Sequence, residues 1–75
     1  MRSCNIKLTT IDDVKNLVNS VSRFPFESEL VSGRYVIDAR SLMGIFSLDL
    51  SKPVQLNIHT DDADDFLKDI EHLLV

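Results

Sequence analysis

The sequence predicts an α+β fold, an open-faced β-sandwich in the order β-α-β-β-α-β-α, and three observations carry that prediction. Four short segments alternate apolar and polar residues, the pattern of strands with one packed and one wet face. Two longer segments each carry one apolar stripe at helical spacing, enough to cover the packed face of a sheet. Ser32-Gly33 lies between the second and third alternating segments and is a tight-turn signal, which makes those two strands a hairpin.

The elements follow in order. Residues 3–8 place Cys4, Ile6 and Leu8 on one face of a half-buried first strand. Ile11, Val14, Leu17, Val18 and Val21 recur at helical spacing, with Thr10 as N-cap and Asp12 and Asp13 facing the positive helix end. The first helix therefore runs from about Ile11 to Val21 or Arg23. Phe24-Pro25-Phe26 ends it, because the residue before proline disfavours the helical region. Phe26, Ser28 and Leu30 alternate with Glu27 and Glu29 as the second strand. Tyr35, Ile37 and Ala39 alternate with Val36 and Asp38 as the third. Ser41 caps a short helix over residues 42–48, and Lys52-Pro53 marks a loop. Val54, Leu56 and Ile58 alternate with Gln55, Asn57 and His59 as the fourth strand. Thr60-Asp61-Asp62 opens the last helix, whose stripe is Ala63, Phe66, Leu67, Ile70, Leu73 and Leu74.

Length and charge narrow the function. The 75 residues fit one domain, residues 1–75. The net charge is −4 and the eight basic residues are scattered, so the chain offers no phosphate-tracking stripe and no nucleic-acid partner is expected. No apolar run could span a bilayer, and Met1-Arg2-Ser3-Cys4-Asn5 has no signal-peptide core, so the expectation is a cytoplasmic protein without a membrane partner. Cys4, the single cysteine, reads as a small hydrophobe. His59 and His72 read as surface residues and form no pair on one helix face. The acidic run Asp61-Asp62-Ala63-Asp64-Asp65 lacks the glycine and glutamate spacing of a calcium loop. No metal or cofactor is expected, and with no nucleophile–base pair or Gly-rich phosphate loop the chain is not read as an enzyme.

The segment Val36-Ile37-Asp38-Ala39-Arg40-Ser41-Leu42-Met43-Gly44-Ile45-Phe46-Ser47-Leu48 resembles the central motif of HPr, the phosphocarrier of the bacterial sugar phosphotransferase system. In that motif a strand ends in a basic residue, followed by Ser, two apolar residues, Gly, two more apolar residues, Ser and Leu. Arg40, Ser41, Met43, Gly44, Ser47 and Leu48 fit it. The resemblance covers residues 24–75 well and the first 23 by element order only. It implies an HPr-like fold with a four-stranded antiparallel sheet covered on one face by helices.

One departure bears on function. The family carries a histidine and, two residues on, an arginine in the loop that opens the first helix. Here that loop, Leu8-Thr9-Thr10-Ile11-Asp12-Asp13-Val14-Lys15, has neither. Asp12 and Asp13 would also repel a phosphate there by on the order of 1 kcal/mol each when exposed. Ser41 matches the serine that a dedicated kinase phosphorylates in some family members, including histidine-less paralogues serving catabolite repression. It is also a plain N-cap, and the two roles are compatible. The resemblance implies partner docking by Arg40, Leu42, Met43, Ile45, Phe46 and Ser47, against which stands a core role for the apolar ones. The expected function is a non-catalytic regulatory or interaction module whose partner is a kinase or regulator of the phosphotransferase system. A phosphocarrier using an atypical acceptor such as His59 or Thr10, and a structural remnant without phosphate chemistry, are the alternatives.

Overall fold

A computed structural model describes residues 1–75. The elements are β1 (Arg2–Ile6), α1 (Ile11–Ser22), β2 (Ser28–Ser32), β3 (Tyr35–Asp38), α2 (Leu42–Phe46), β4 (Val54–Ile58) and α3 (Asp64–Asp69), followed by a 3-10 turn, Glu71–Leu73. The four strands form one antiparallel sheet in the order β1-β4-β2-β3.

Register explains the two faces. Cys4, Leu56, Leu30 and Ile37 stand in one row across the sheet, on the face beneath the helices. Asn5, Gln55, Val31 and Val36 form the next row on the open face, and Ser3, Asn57, Glu29 and Asp38 form another. Residues directly opposite share a face, so the alternation within each strand becomes apolar and polar rows. The core is one cluster in which Ile6, Leu30, Leu56 and Ile58 of the sheet meet Val14, Leu17 and Val21 of α1, Ile45 of α2 and Phe66 of α3. Phe66 is fully buried and meets Phe24 and Phe26 edge-on, with ring centroids 5.4 and 5.6 Å away. That is the favoured geometry for aromatic quadrupoles.

Local chemistry sets the ends of the elements. Thr10 caps α1 as expected, and Asp13 completes a reciprocal capping box with it. The β2–β3 hairpin turns on Gly33-Arg34, one residue later than Ser32-Gly33. Gly33 has φ +60° and Arg34 has a negative φ, which makes this a type II′ turn with glycine at the position that requires it.

The structure corrects several expected boundaries. β1 stops at Ile6, and Leu8 is buried from the following loop. β2 starts at Ser28 because Phe24 and Phe26 pack on Phe66 instead of joining the ladder. α2 ends at Phe46, where Ser47 Oγ donates to the Gly44 carbonyl at 2.6 Å. Thr60 does not open α3: its Oγ1 accepts from the Asp62 N–H at 3.2 Å in a local turn, and the helix starts at Asp64. Beyond Asp69 the chain tightens, because the Lys7 N–H donates to the Leu73 carbonyl at 2.9 Å and the Val75 N–H to the Asn5 carbonyl at 3.1 Å. Those bonds draw the last residues alongside β1. Ile11, the first residue of α1, is 62% exposed rather than part of the apolar stripe. No helix is long and apolar enough to cross a membrane.

Candidate docking and modification surface

The segment from Ala39 to Leu48 turns from the edge of the sheet into α2. Ala39 is fully buried, and its N–H donates to the Ser28 carbonyl at 3.0 Å. The Asp38 carboxylate accepts from the Arg40 N–H at 2.8 Å, and the Asp38 carbonyl accepts from the Ser41 N–H at 2.9 Å. This turn aims Ser41 at the start of the helix, where its Oγ accepts from the Gly44 N–H at 3.2 Å. Ser41 remains exposed. Arg40 is exposed as well, and one guanidinium nitrogen donates to the Phe26 carbonyl at 3.2 Å. Four further N–H donors of that guanidinium stay available.

Gly44 has a steric reason to be there. A Cβ on it would lie 2.8 Å from Ile37 Cγ2 and 2.8 Å from Ser41 Oγ. The helix therefore sits close on β3 only because residue 44 has no side chain.

The six docking candidates divide by position. Met43 is 79% exposed and Phe46 41% exposed, and Arg40 and Ser47 are exposed beside them. Ile45 is fully buried and belongs to the core, which corrects its expected place on the surface. Leu42 is half-buried and packs against the core. On this short helix Ile45 enters the core, Leu42 packs at its margin and Gly44 lies against Ile37 of β3. The surface set is thus Arg40, Ser41, Met43, Phe46 and Ser47.

The N-terminus of α1 is the other place where an anion could bind, and the chain fills it with its own carboxylate. Asp13 Oδ2 accepts from the Thr9 N–H at 2.9 Å and the Thr10 N–H at 3.1 Å, while the Asp13 N–H donates to Thr10 Oγ1 at 3.1 Å. These backbone bonds, that of Thr9 foremost, hold the Asp13 carboxyl below its usual range, and His72 on the 3-10 turn adds a small contribution. Sequence reasoning assigned Asp13 to the helix dipole and missed this reciprocal bond. The Thr-x-x-acid spacing was the available signal.

The remaining candidates lie apart. His59 follows β4 on the wet side, with Nε2 3.5 Å from Glu29 Oε1. His72 is exposed. Cys4 is half-buried, and burial pushes its thiol pKa up, away from the reactive thiolate. In the acidic run, Asp61 meets the Met1 amino group at 2.7 Å and Asp64 meets Arg2 at 3.5 Å, so both carboxylates help to hold β1.

Comparison with known proteins bears on the fold. Neither a family model nor a curated protein matches the sequence. Among solved structures, the chain is similar to HPr-C-His from Thermoanaerobacter tengcongensis, with a TM-score of 0.78 and 23% identity over 99% of this chain and 91% of that one. It is also similar to a phosphocarrier protein HPr from Bacillus anthracis str. Ames, with a TM-score of 0.71 and 17% identity over 99% of this chain and 94% of that one. The chain therefore has the HPr fold, as the central motif led one to expect.

Proposed function

We propose that this chain is a non-catalytic HPr-like regulatory or interaction module that docks a protein partner through α2 and the turn before it. One observation carries the reading: Met43 and Phe46 stand exposed next to an exposed Ser41 hydroxyl and the Arg40 guanidinium. Exposed methionine and aromatic side chains make an adaptable contact surface. A phosphoryl group on Ser41 Oγ, taken from ATP with loss of the hydroxyl proton, would bring nearly two negative charges into that surface. Arg40, one residue earlier, supplies a cation that would pair with them. The partner is a kinase or regulator of a phosphotransferase system, by analogy with the phosphocarriers that share the fold.

The closed N-terminus of α1 supports the non-catalytic half of the reading. The segment from Leu8 to Lys15 has no histidine, and its Thr9 and Thr10 amides are occupied by Asp13. The atypical acceptors fare no better. Thr10 Oγ1 already caps α1 beside the Asp13 carboxylate, and His59 faces Glu29.

The test is intact-mass spectrometry after incubation with an HPr serine kinase and ATP. The reading expects one added phosphate, lost in Ser41→Ala. An unmodified wild-type protein, or a phosphate that persists in Ser41→Ala, contradicts the assignment of Ser41.

A further inference from the structure

The two edges of the sheet are treated differently. β1, at one edge, is partly covered by the chain's own C-terminus, where Leu74 bridges Ile6 and the Val75 N–H reaches the Asn5 carbonyl. β3, at the other edge, pairs only with β2. It carries no proline, lysine or bulge, and its shortness and the single charge of Asp38 are its only guards. Its two exposed large side chains, Tyr35 and Val36, are 67% and 59% accessible.

The hairpin decides which backbone groups are free. In the β-turn from Ser32 to Tyr35 the first carbonyl accepts from the last N–H, so Ser32 and Tyr35 form a hydrogen-bonded pair. Such pairs alternate along an antiparallel ladder. Tyr35 and Ile37 therefore point their backbone groups at β2, and Val36 and Asp38 point theirs outward. The Asp38 carbonyl is taken by the Ser41 N–H, which leaves the Asp38 N–H and both groups of Val36.

Charge favours a particular occupant and register. Glu29 and Asp38 stand directly opposite each other on the open face, a like-charge pair at the rim of an acidic chain. Arg34, the second residue of the turn, lies just before the other end of β3, exposed and without an ion pair. A second copy running antiparallel, with Val36 on the two-fold axis, sets Arg34 of each copy opposite Asp38 of the other. Moving the strand by two residues in one direction sets Arg34 against Arg40. Further shifts bring Asp38 onto Asp38 or Arg34 onto Arg34. Among registers with the axis within β3, only the one centred on Val36 pairs opposite charges twice. It also places Val36 on Val36 in the open-face row that begins Asn5, Gln55 and Val31. On the helix side it sets Tyr35 over the half-buried Ile37 of the other copy.

We propose that β3 is a self-association edge, through which two copies of this chain join their sheets into one eight-stranded antiparallel sheet in the register Arg34–Asp38, Val36–Val36. The interface is isologous, as two-fold symmetry requires. With so short a strand it belongs to the small, weak class of interfaces.

Sedimentation velocity over rising protein concentration tests this. The wild type shifts from monomer to dimer as concentration approaches the millimolar range. Arg34→Glu, which faces Asp38 with a like charge, and Val36→Lys, which puts two ammonium groups on the axis, each weaken association by about tenfold or more. Both sites are exposed, and unchanged thermal unfolding of the variants confirms that the fold is kept. Asp38→Asn retains an oxygen for the Arg40 N–H and weakens association less. The register is read by disulfide formation in a Cys4→Ala background. Val36→Cys cross-links, because paired Cα atoms about 5.5 Å apart suit a disulfide. A wild type that stays monomeric throughout overturns the proposal. So do a dimer that Arg34→Glu and Val36→Lys leave intact, and a Val36→Cys variant that does not cross-link.

Discussion

Replacing Gly44 with alanine tests the packing that supports the candidate docking surface. On helix propensity alone the change stabilises by about 1 kcal/mol, since glycine is the poorer helix former. The structure predicts the opposite sign. The new Cβ would lie 2.8 Å from Ile37 Cγ2 and from Ser41 Oγ, and 3.3 Å from Ser41 Cβ. Ser41 Oγ can rotate away only by giving up its bond to the Gly44 N–H, an N-cap worth about 1 kcal/mol. Ile37 is β-branched with one stiff torsion, and moving it or lifting α2 from β3 costs about 1–3 kcal/mol as overpacking. The net is a loss of about 1–3 kcal/mol. At roughly 4–8 °C per kcal/mol for a domain of this size, the midpoint falls by about 5–20 °C. Thermal unfolding followed by far-ultraviolet circular dichroism measures it. An unchanged or raised midpoint would show that propensity governs residue 44 and that the close approach does not matter.

Three other outcomes follow from particular atoms. Ser28 Oγ is buried without a hydrogen-bond partner, so Ser28→Ala should raise stability by about 1 kcal/mol in urea unfolding, and a loss would mean that the hydroxyl is satisfied. Asp13 has a folded-state pKa below its unfolded value. Its contribution is therefore present above the unfolded value near 4 and lost as pH falls through the folded one. Asp13→Asn should flatten the acid limb of the stability–pH curve, by a small amount because the carboxylate is exposed and screened; an unaltered limb would contradict the capping box. Phe66→Ala should cost about 3–5 kcal/mol, because it empties the site beneath Phe24 and Phe26, and a loss under 1 kcal/mol would mean that those rings refill it.

The sheet and first helix were readable because each rests on a periodicity that burial enforces. Val54, Leu56 and Ile58 alternate in sequence and are buried, and Val14, Leu17 and Val21 do the same at helical spacing. Burial does not dictate the hydrogen-bond ladder, and there the reading failed. Ala63, Phe66, Ile70 and Leu73 are all buried as their spacing implies, yet α3 occupies only Asp64–Asp69. A Thr60 turn delays its start, and pairing of the C-terminus with β1 converts its end. The candidate docking surface was half legible. Leu42, Met43, Ile45 and Phe46 are apolar all round a five-residue helix, so no stripe marks which one faces the sheet. Contact with β3 and the missing Cβ of Gly44 make that choice. Asp13 shows the same limit, since its reach back to Thr9 depends on a loop geometry that composition does not reveal.

The proposed function requires a docking face on this HPr fold and no phosphate-accepting centre. Incubation with the first enzyme of a phosphotransferase system and phosphoenolpyruvate, followed by intact-mass spectrometry at alkaline pH, tests it most directly. The expected result is an unchanged mass, because Asp13 occupies the amides at the start of α1 and no histidine stands there. An added, acid-labile phosphate would contradict it and would identify the chain as a phosphocarrier.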